Sequence, residues 1–224
     1  MFSKSQIDRL GERLKTGIVA EDDLRMLDEH RRSFIDAYEH VVGRIKTELG
    51  LSPTGRPAKS TTSLREKLQR ETARLSQIQD VAGCRLVVAD IDRQDSVVGQ
   101  LSALFPDCNI IDRRQKPSFG YRAVHVVVKY VGKLIEIQVR TEVQHRWAEL
   151  SEKFADRLGS AIKYGQGDET VLNLLGELSR IIGDIEAQEN PETANSLAGD
   201  FVRRARKRLA ELIAETATVL DRKD

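Results

Sequence analysis

Val124-His125-Val126-Val127-Val128-Lys129-Tyr130-Val131-Gly132-Lys133-Leu134-Ile135-Glu136-Ile137-Gln138-Val139-Arg140-Thr141 is the stretch that decides the fold. It holds two β-rich runs, 124–130 and 133–140, around Val131-Gly132, and so reads as a hairpin. Side chains alternate along a strand, with i and i+2 about 7 Å apart on one face. Ile135, Ile137 and Val139 therefore point one way, into a core. Glu136, Gln138 and Arg140 point the other way, as a row of carboxylate, amide and guanidinium. Taken alone, that row reads equally well as a solvated sheet face.

Outward from the hairpin, Leu86-Val87-Val88 is a short apolar run best read as a buried strand, and Cys108–Ile111 reads as another. Val97, Val98, Leu101 and Leu104 form a helical stripe ending at Pro106. Lys116-Pro117-Ser118-Phe119-Gly120 is a loop. Residues from about Ser5 to Leu49 read as mostly helix, with Leu27, Phe34, Tyr38, Val41 and Ile45 at helical spacing and Gly50 as the stop. Leu51–Pro57 reads as loop from its Pro and Gly content. A helix is expected from Thr61 or Thr62, with Leu64, Leu68 and Leu75 on its apolar stripe and Thr62 as an approximate cap. Ser63, Lys67, Arg70 and Arg74 share another face. After Thr141 the helical pattern returns, with Val143, Trp147, Leu150, Phe154 and Leu158 in phase. Gly165-Gln166-Gly167 breaks it. Residues of about 169–186 and 195–219 read as two further helices.

The expected architecture is α+β: a mixed β-sheet flanked by helices, with helical extensions at both ends. The boundaries are expected at 1–50, 51–165 and 166–224. The 224 residues suffice for a sizeable core, and 40% hydrophobic against 32% charged residues is globular composition. A net charge of +1 gives no global attraction to nucleic acid or membrane, so any anion site must be a local cluster. Cys84 and Cys108 are too few for a disulfide framework or a structural zinc site. No apolar run suits a leader or a bilayer span, and the expected location is cytoplasmic.

Three groups of residues suit chemistry. Asp80 precedes the strand Gly83–Val88. If that strand neighbours the one carrying Glu136, the two carboxylates converge on one point, which suits Mg²⁺ with its preference for hard oxygens and few protein ligands. The plainer reading is an aspartate capping a strand end. Tyr121, after a glycine on a loop, suits stacking on a nucleobase, with Lys116 and Arg122 beside it for phosphate; a half-buried loop tyrosine is the commoner case. Arg56, Lys59, Lys67, Arg70 and Arg74 form a basic cluster, though Glu66 and Glu71 among them also fit a salt-bridged helix. There is no GxxxxGK[ST] loop. His125, between valines, reads as a buried, hydrogen-bonded histidine. His145 and Glu149 lie at i and i+4 without the further ligands that zinc requires. Arg203, Arg204, Arg206, Lys207 and Arg208 form a basic run that suits a solvated helix face, RNA or a partner subunit.

The order of the pieces resembles the RelA/SpoT synthetase domain: Gly55-Arg56, a lysine, Thr62-Ser63-Leu64-Arg65-Glu66-Lys67-Leu68, Asp80-Val81-Ala82-Gly83-Cys84-Arg85, Gly120-Tyr121-Arg122, His125, Glu136-Ile137-Gln138-Val139-Arg140-Thr141 and Trp147-Ala148. In size the chain is most similar to the small alarmone synthetases. The resemblance covers roughly Arg56 to Tyr164 and implies a nucleotidyltransferase-like fold. It implies Mg²⁺-dependent transfer of the β,γ-pyrophosphate of ATP to the ribose 3′-hydroxyl of GDP or GTP, giving AMP and (p)ppGpp. By the same resemblance Asp80 and Glu136 hold the metal, and Glu136 assists deprotonation of the 3′-hydroxyl. Arg56 and Arg85 sandwich the adenine. Lys59, Ser63 and Lys67 hold ATP phosphates. Tyr121 stacks on the acceptor base, and Lys116, Arg122, His125 and Gln138 line the acceptor pocket. The terminal helices imply a homo-oligomer, with a homotetramer expected. No His-Asp dipeptide occurs, so synthesis without built-in degradation is expected.

Three departures are visible. The segment Asp112–Lys116 is short for the family, Ala123 stands where serine is common, and the Arg56-to-Lys59 spacing, three positions, is one residue longer than the family's usual one. The first two departures bear on the acceptor. Related toxic members pyrophosphorylate adenine nucleotides or the 3′ end of tRNA, and a catalytically inactive nucleotide- or RNA-binding module is the alternative outside the enzymes.

Overall fold

The computed structural model describes residues 2–17, 19–70, 72–189 and 196–221, apart from the side chains of Arg56 and Val219. Three helices open the chain: α1 (Lys4–Thr16), α2 (Glu21–Arg32) and α3 (Ile35–Leu49). Then come β1 (Thr54–Arg56), α4 (Thr61–Arg70), β2 (Ala82–Val88), α5 (Ile91–Leu104) and β3 (Asn109–Asp112). The hairpin of β4 (Val124–Tyr130) and β5 (Lys133–Thr141) follows. Three helices close the chain: α6 (Glu142–Leu158), α7 (Glu169–Ala187) and α8 (Leu197–Asp221). The five strands form one mixed sheet in the order β1-β2-β5-β4-β3. No helix of the described residues is long and apolar enough to cross a membrane.

The hairpin alternates as its sequence requires: Ile135, Ile137 and Val139 are fully buried, while Glu136 and Gln138 are part-exposed. Arg140 differs from its row. It is buried. Val131 and Gly132 both have positive φ, at 45° and 72°. Two left-handed residues at the centre match the right-handed twist of a two-residue hairpin.

Two of the expected elements shift. The stretch 51–57 is not all loop, because Thr54, Gly55 and Arg56 pair antiparallel with Arg85, Cys84 and Gly83. A three-residue edge strand has no periodicity to read. What makes it is close approach: a Cβ on Gly55 would sit 2.4 Å from the Gly83 carbonyl oxygen. The helix α4 is capped by Ser60 rather than Thr62, since the Ser63 amide donates to Ser60 Oγ at 3.2 Å. Leu64 and Leu68 are buried on it, but the helix ends at Arg70. Leu75 is buried in a separate 3₁₀ turn, Leu75–Gln77, so it packs without sharing the stripe.

By contacts the chain divides into two compact units. The first comprises Met1–Leu86, Ser102–Asn109 and Val126–Gln138. In it α1 packs on α2 and α4, and Leu10, Leu14, Val41, Ile45, Leu64 and Leu68 are buried. The second comprises Val87–Leu101, Ile110–His125 and Val139–Asp224. Its helices α6, α7 and α8 pack on one another around Trp147, Leu150, Leu175, Ile182 and Ile213.

Candidate functional site

In the first unit, Asp80 sits just before β2 and is held from two sides. Lys59 Nζ donates to its Oδ2 at 2.7 Å, and Lys67 Nζ donates to its Oδ1 at 2.8 Å. Three pieces of local structure make this possible. The Lys59 amide is fixed by a 2.6 Å hydrogen bond to the Val81 carbonyl, which ties the loop after β1 to the entry of β2. Ser60 then starts α4, and Lys67 faces Asp80 from that helix's second turn. Ser60 Oγ also meets Ser63 Oγ at 2.8 Å, so Ser63 lies on the cap of the same helix.

All three charged side chains are about four-fifths buried. Burial alone would push the Asp80 carboxyl up, but the two ammonium groups outweigh it and hold the pKa at about 2. Asp80 is therefore an ionised, hard oxygen donor clasped by two cations that are themselves suited to phosphate.

Glu136 lies on β5, the neighbour of β2 in the sheet. A Cβ on Gly83 would be 2.6 Å from the Glu136 carbonyl oxygen. Glycine at 83 thus brings the strand that follows Asp80 close against the backbone of Glu136. Gln138 Nε2 donates to Glu136 Oε1 at 2.6 Å, which orients the carboxylate along the exposed row. Cys84 is pushed up to about 12 by burial and by the nearby charge of Glu136, so it is an inert thiol. In the β1–β2 ladder Arg85 opposes Thr54 and Arg56 opposes Gly83, which places positions 56 and 85 diagonally on one face. The Arg56 side chain, expected at an adenine, lies outside the described residues.

The second unit carries another cluster. Tyr121 follows a tight turn closed by two hydrogen bonds, Tyr121 N–H to the Ser118 carbonyl at 2.9 Å and Ser118 N–H to the Tyr121 carbonyl at 3.3 Å. Its two central residues, Phe119 and Gly120, have φ of 52° and 88°. A left-handed phenylalanine costs about 1–2 kcal/mol, and such strain concentrates at functional turns. The turn sets the Tyr121 hydroxyl 2.9 Å from His125 Nε2. Arg140 donates to the same hydroxyl at 3.0 Å, with its guanidinium carbon 5.0 Å from the ring centroid. Arg140 is buried because it serves this tyrosine.

The other two loop residues behave differently. Lys116 is exposed. Arg122 turns to α7, where its Nε donates to the Ser179 carbonyl at 3.0 Å and to Ser179 Oγ at 3.1 Å. Its NH1 also donates to the Arg114 carbonyl. The guanidinium therefore fastens the loop to a helix.

The residue pattern did not single out a buried polar network behind this cluster. Gln94 Nε2 donates to the Val139 carbonyl at 2.8 Å and to Gln144 Oε1 at 2.9 Å. Gln144 Nε2 and the Thr141 hydroxyl both donate to Glu186, at 3.0 and 2.6 Å. The network pins the β5-to-α6 junction, and so the base of Arg140, to α5 and α7. Isolated glutamines at helix positions carry no sequence signal of this kind. The only cue was Thr141-x-x-Gln144, a capping box that the structure forms.

His145 and Glu149 form an ordinary i,i+4 pair at 3.3 Å. Among the described residues no group of three or more His, Cys, Asp or Glu side chains gathers as a metal cage. In the basic run of α8, Arg203 pairs with Asp200, Arg206 with Glu189 and Arg208 with Glu211, so much of its charge is matched within the unit.

Comparison with known proteins bears on these observations. Residues 55–155 match the region found in RelA / SpoT proteins. The uncharacterized protein Rv1366 of Mycobacterium tuberculosis is 33% identical over 177 residues, covering 75% of this chain and 64% of that protein. The uncharacterized protein Mb1401 of Mycobacterium bovis matches to the same extent. The chain thus spans just under two thirds of the length of these relatives. Small alarmone synthetase 1 from Bacillus subtilis, bound to its product pppGpp, superposes with a TM-score of 0.55 at 23% identity, covering 75% of this chain and 94% of that one. A GTP pyrophosphokinase family protein from Streptococcus pneumoniae gives 0.53 at 22% identity over 84% of this chain and 98% of that one. The likeness to these solved structures is one of fold.

Proposed function

From a chain that carries a RelA/SpoT region on the fold of the small alarmone synthetases, we propose an ATP-dependent pyrophosphokinase that uses a guanosine 5′-di- or triphosphate as acceptor. The observation that carries this reading is the clasp of Lys59 and Lys67 on an ionised Asp80. Two desolvated cations and a carboxylate on fixed backbone are what transfer of a pyrophosphoryl group needs, since that chemistry is dominated by positioning and charge neutralisation.

Mg²⁺ fits the donor set. It binds through one or two carboxylates and completes its shell with water and substrate phosphates, and one or two carboxylates are what Asp80 and Glu136 supply. Asp80 and Glu136 would hold it, and when bound it supplies charge neutralisation at the transferred phosphates. The chain's own residues do the rest. Lys59 and Lys67 exchange Asp80 for ATP phosphate oxygens. Arg56 and Arg85, diagonal on one ladder face, take the adenine between them. Tyr121, its hydroxyl tied to Arg140 and His125, presents a ring for the acceptor base. Glu136, oriented by Gln138, takes the proton of the 3′-hydroxyl. A bond forms between that oxygen and the β-phosphorus of ATP, the bond from the β-phosphorus to the α,β-bridging oxygen breaks, and AMP leaves.

A transfer assay tests the reading. Full-length protein, Mg²⁺ and γ-labelled ATP are incubated with GDP, GTP, GMP, ADP or deacylated tRNA. The expected result is label in a guanosine product with AMP release. Label on ADP or tRNA would move the acceptor while keeping the chemistry, and absence of transfer to every acceptor would leave a nucleotide-binding module. The ion pairing along α8 gives no specific support to a nucleic-acid acceptor.

A further inference from the structure

Apart from both clusters, the first unit holds a cavity of about 380 Å³ between α1, α2 and the β4–β5 turn. Its lining is unusual in what it leaves unmatched. Lys133 Nζ donates to Ser33 Oγ at 2.7 Å and lies 4.6 Å over the Phe34 ring, and no carboxylate of the described residues pairs with it. Ser33 is neutral: its hydroxyl donates to the His30 carbonyl at 2.6 Å and its oxygen accepts from the ammonium without offsetting the charge. Burial pulls the Lys133 ammonium below the usual lysine range. His30 is 8% exposed, and its Nε2 is buried without a hydrogen-bond partner. Ser76, also in the lining, has a buried hydroxyl in the same condition. A buried polar group left unsatisfied costs about 1–3 kcal/mol.

The end of α1 adds to this. Lys4 and Ile7 of its first turns line the cavity, the first turn has no acidic residue, and a lysine stands where the helix dipole favours an anion. Glu29 is the one carboxylate among the described residues of the lining. Phe34 and Ile7 supply apolar wall.

We propose that this cavity binds an organic anion, a single phosphate or carboxylate group on a small apolar body. Lys133 and the first turn of α1 take the charge. The Ser76 hydroxyl, a free rotor, and the His30 imidazole as its Nε2–H tautomer donate to the oxygens. Phe34 and Ile7 cover the body.

The test follows the His30 imidazole by NMR in the full chain during titration with phenyl phosphate or benzoate, with phenol as the uncharged control. A saturable shift is expected with at least one of the anions and none with phenol. Lys133→Gln is expected to weaken binding about tenfold or more, the value of one charge-assisted hydrogen bond. Should that variant not fold, Ser76→Ala is expected to weaken binding about fivefold. The shift is expected to persist with ATP and Mg²⁺ present. Lack of a saturable shift with both anions, unchanged affinity in the folded variant, or displacement by ATP overturns the assignment.

Discussion

Asp80 owes its low pKa to Lys59 and Lys67, and that has a consequence for stability. With a folded value of about 2 against an ordinary carboxyl near 3.8, its contribution is fully present above the ordinary value and is lost as pH falls through 2. The shift corresponds to about 2 kcal/mol. Asp80→Asn is therefore expected to be less stable than the parent by about 2 kcal/mol at pH 7, with the gap closing toward pH 2. Urea melts at the two pH values check this, and a gap that does not change with pH would show that the clasp is not the cause. Tyr121 gives a second prediction at this scale. Removing its hydroxyl, as in Tyr121→Phe, strips a hydrogen bond from both Arg140 and His125 while keeping the ring. A fall in stability of about 1 kcal/mol is expected. Under the proposed function, Tyr121→Ala further raises the acceptor KM while the KM for ATP holds, and equal rises in both would remove the stacking role.

At the scale of elements, the contact of Gly83 with the Glu136 backbone decides how β2 meets β5. A methyl at Gly83 would press on the Glu136 carbonyl at 2.6 Å, and neither strand can yield without losing register. Gly83→Ala is expected to lower stability by about 2–3 kcal/mol, read as a drop in denaturation midpoint. The β4–β5 turn points the other way. Val131 sits at φ 45° and is 79% exposed, so its branched side chain is strained and buries little. Val131→Asn is expected to raise stability by about 0.5–1 kcal/mol, because asparagine tolerates the left-handed region. The expected strands 124–130 and 133–140 were legible because period-two alternation over seven or more residues has few other solutions. The strand at 54–56 was not legible, since its cause is a contact with residues nearly thirty positions away.

For the molecule as a whole, the nearly even balance of 36 basic and 35 acidic residues leaves little net charge at neutral pH, and individual buried groups add their own dependence on pH. His30 is the clearest of them. Burial first, and then the charge of Lys133, lower its pKa from 6.5 to about 4. The unfolded chain therefore takes up a proton that the folded chain refuses between these values, and stability falls as pH drops from 6.5 toward 4. The loss from this one group reaches about 3 kcal/mol at the acid end. His30→Phe is expected to flatten the acid slope of stability across that window, measured as melting temperature against pH. An unchanged slope would assign the acid sensitivity elsewhere.

Linear pattern was enough for the secondary structure of the long elements, the part-exposed row of Glu136 and Gln138, and the ordered motifs that resemble the RelA/SpoT synthetases. Each of these rests on local spacing or on residue identity, which a linear chain displays in full. The sequence also pointed to Lys59 and Lys67 for phosphate and to Asp80 for metal, without joining them. It took the folded arrangement to show that the two lysines clasp Asp80, that Arg140 is buried against Tyr121, that Arg122 fastens a loop to α7, and that Gln94, Gln144 and Glu186 close a network at the end of β5. These pairings span gaps of 13 to 57 positions in the chain. Which of many possible partners a charged or amide group meets is set by how the packed elements bring it there, and no local pattern records that.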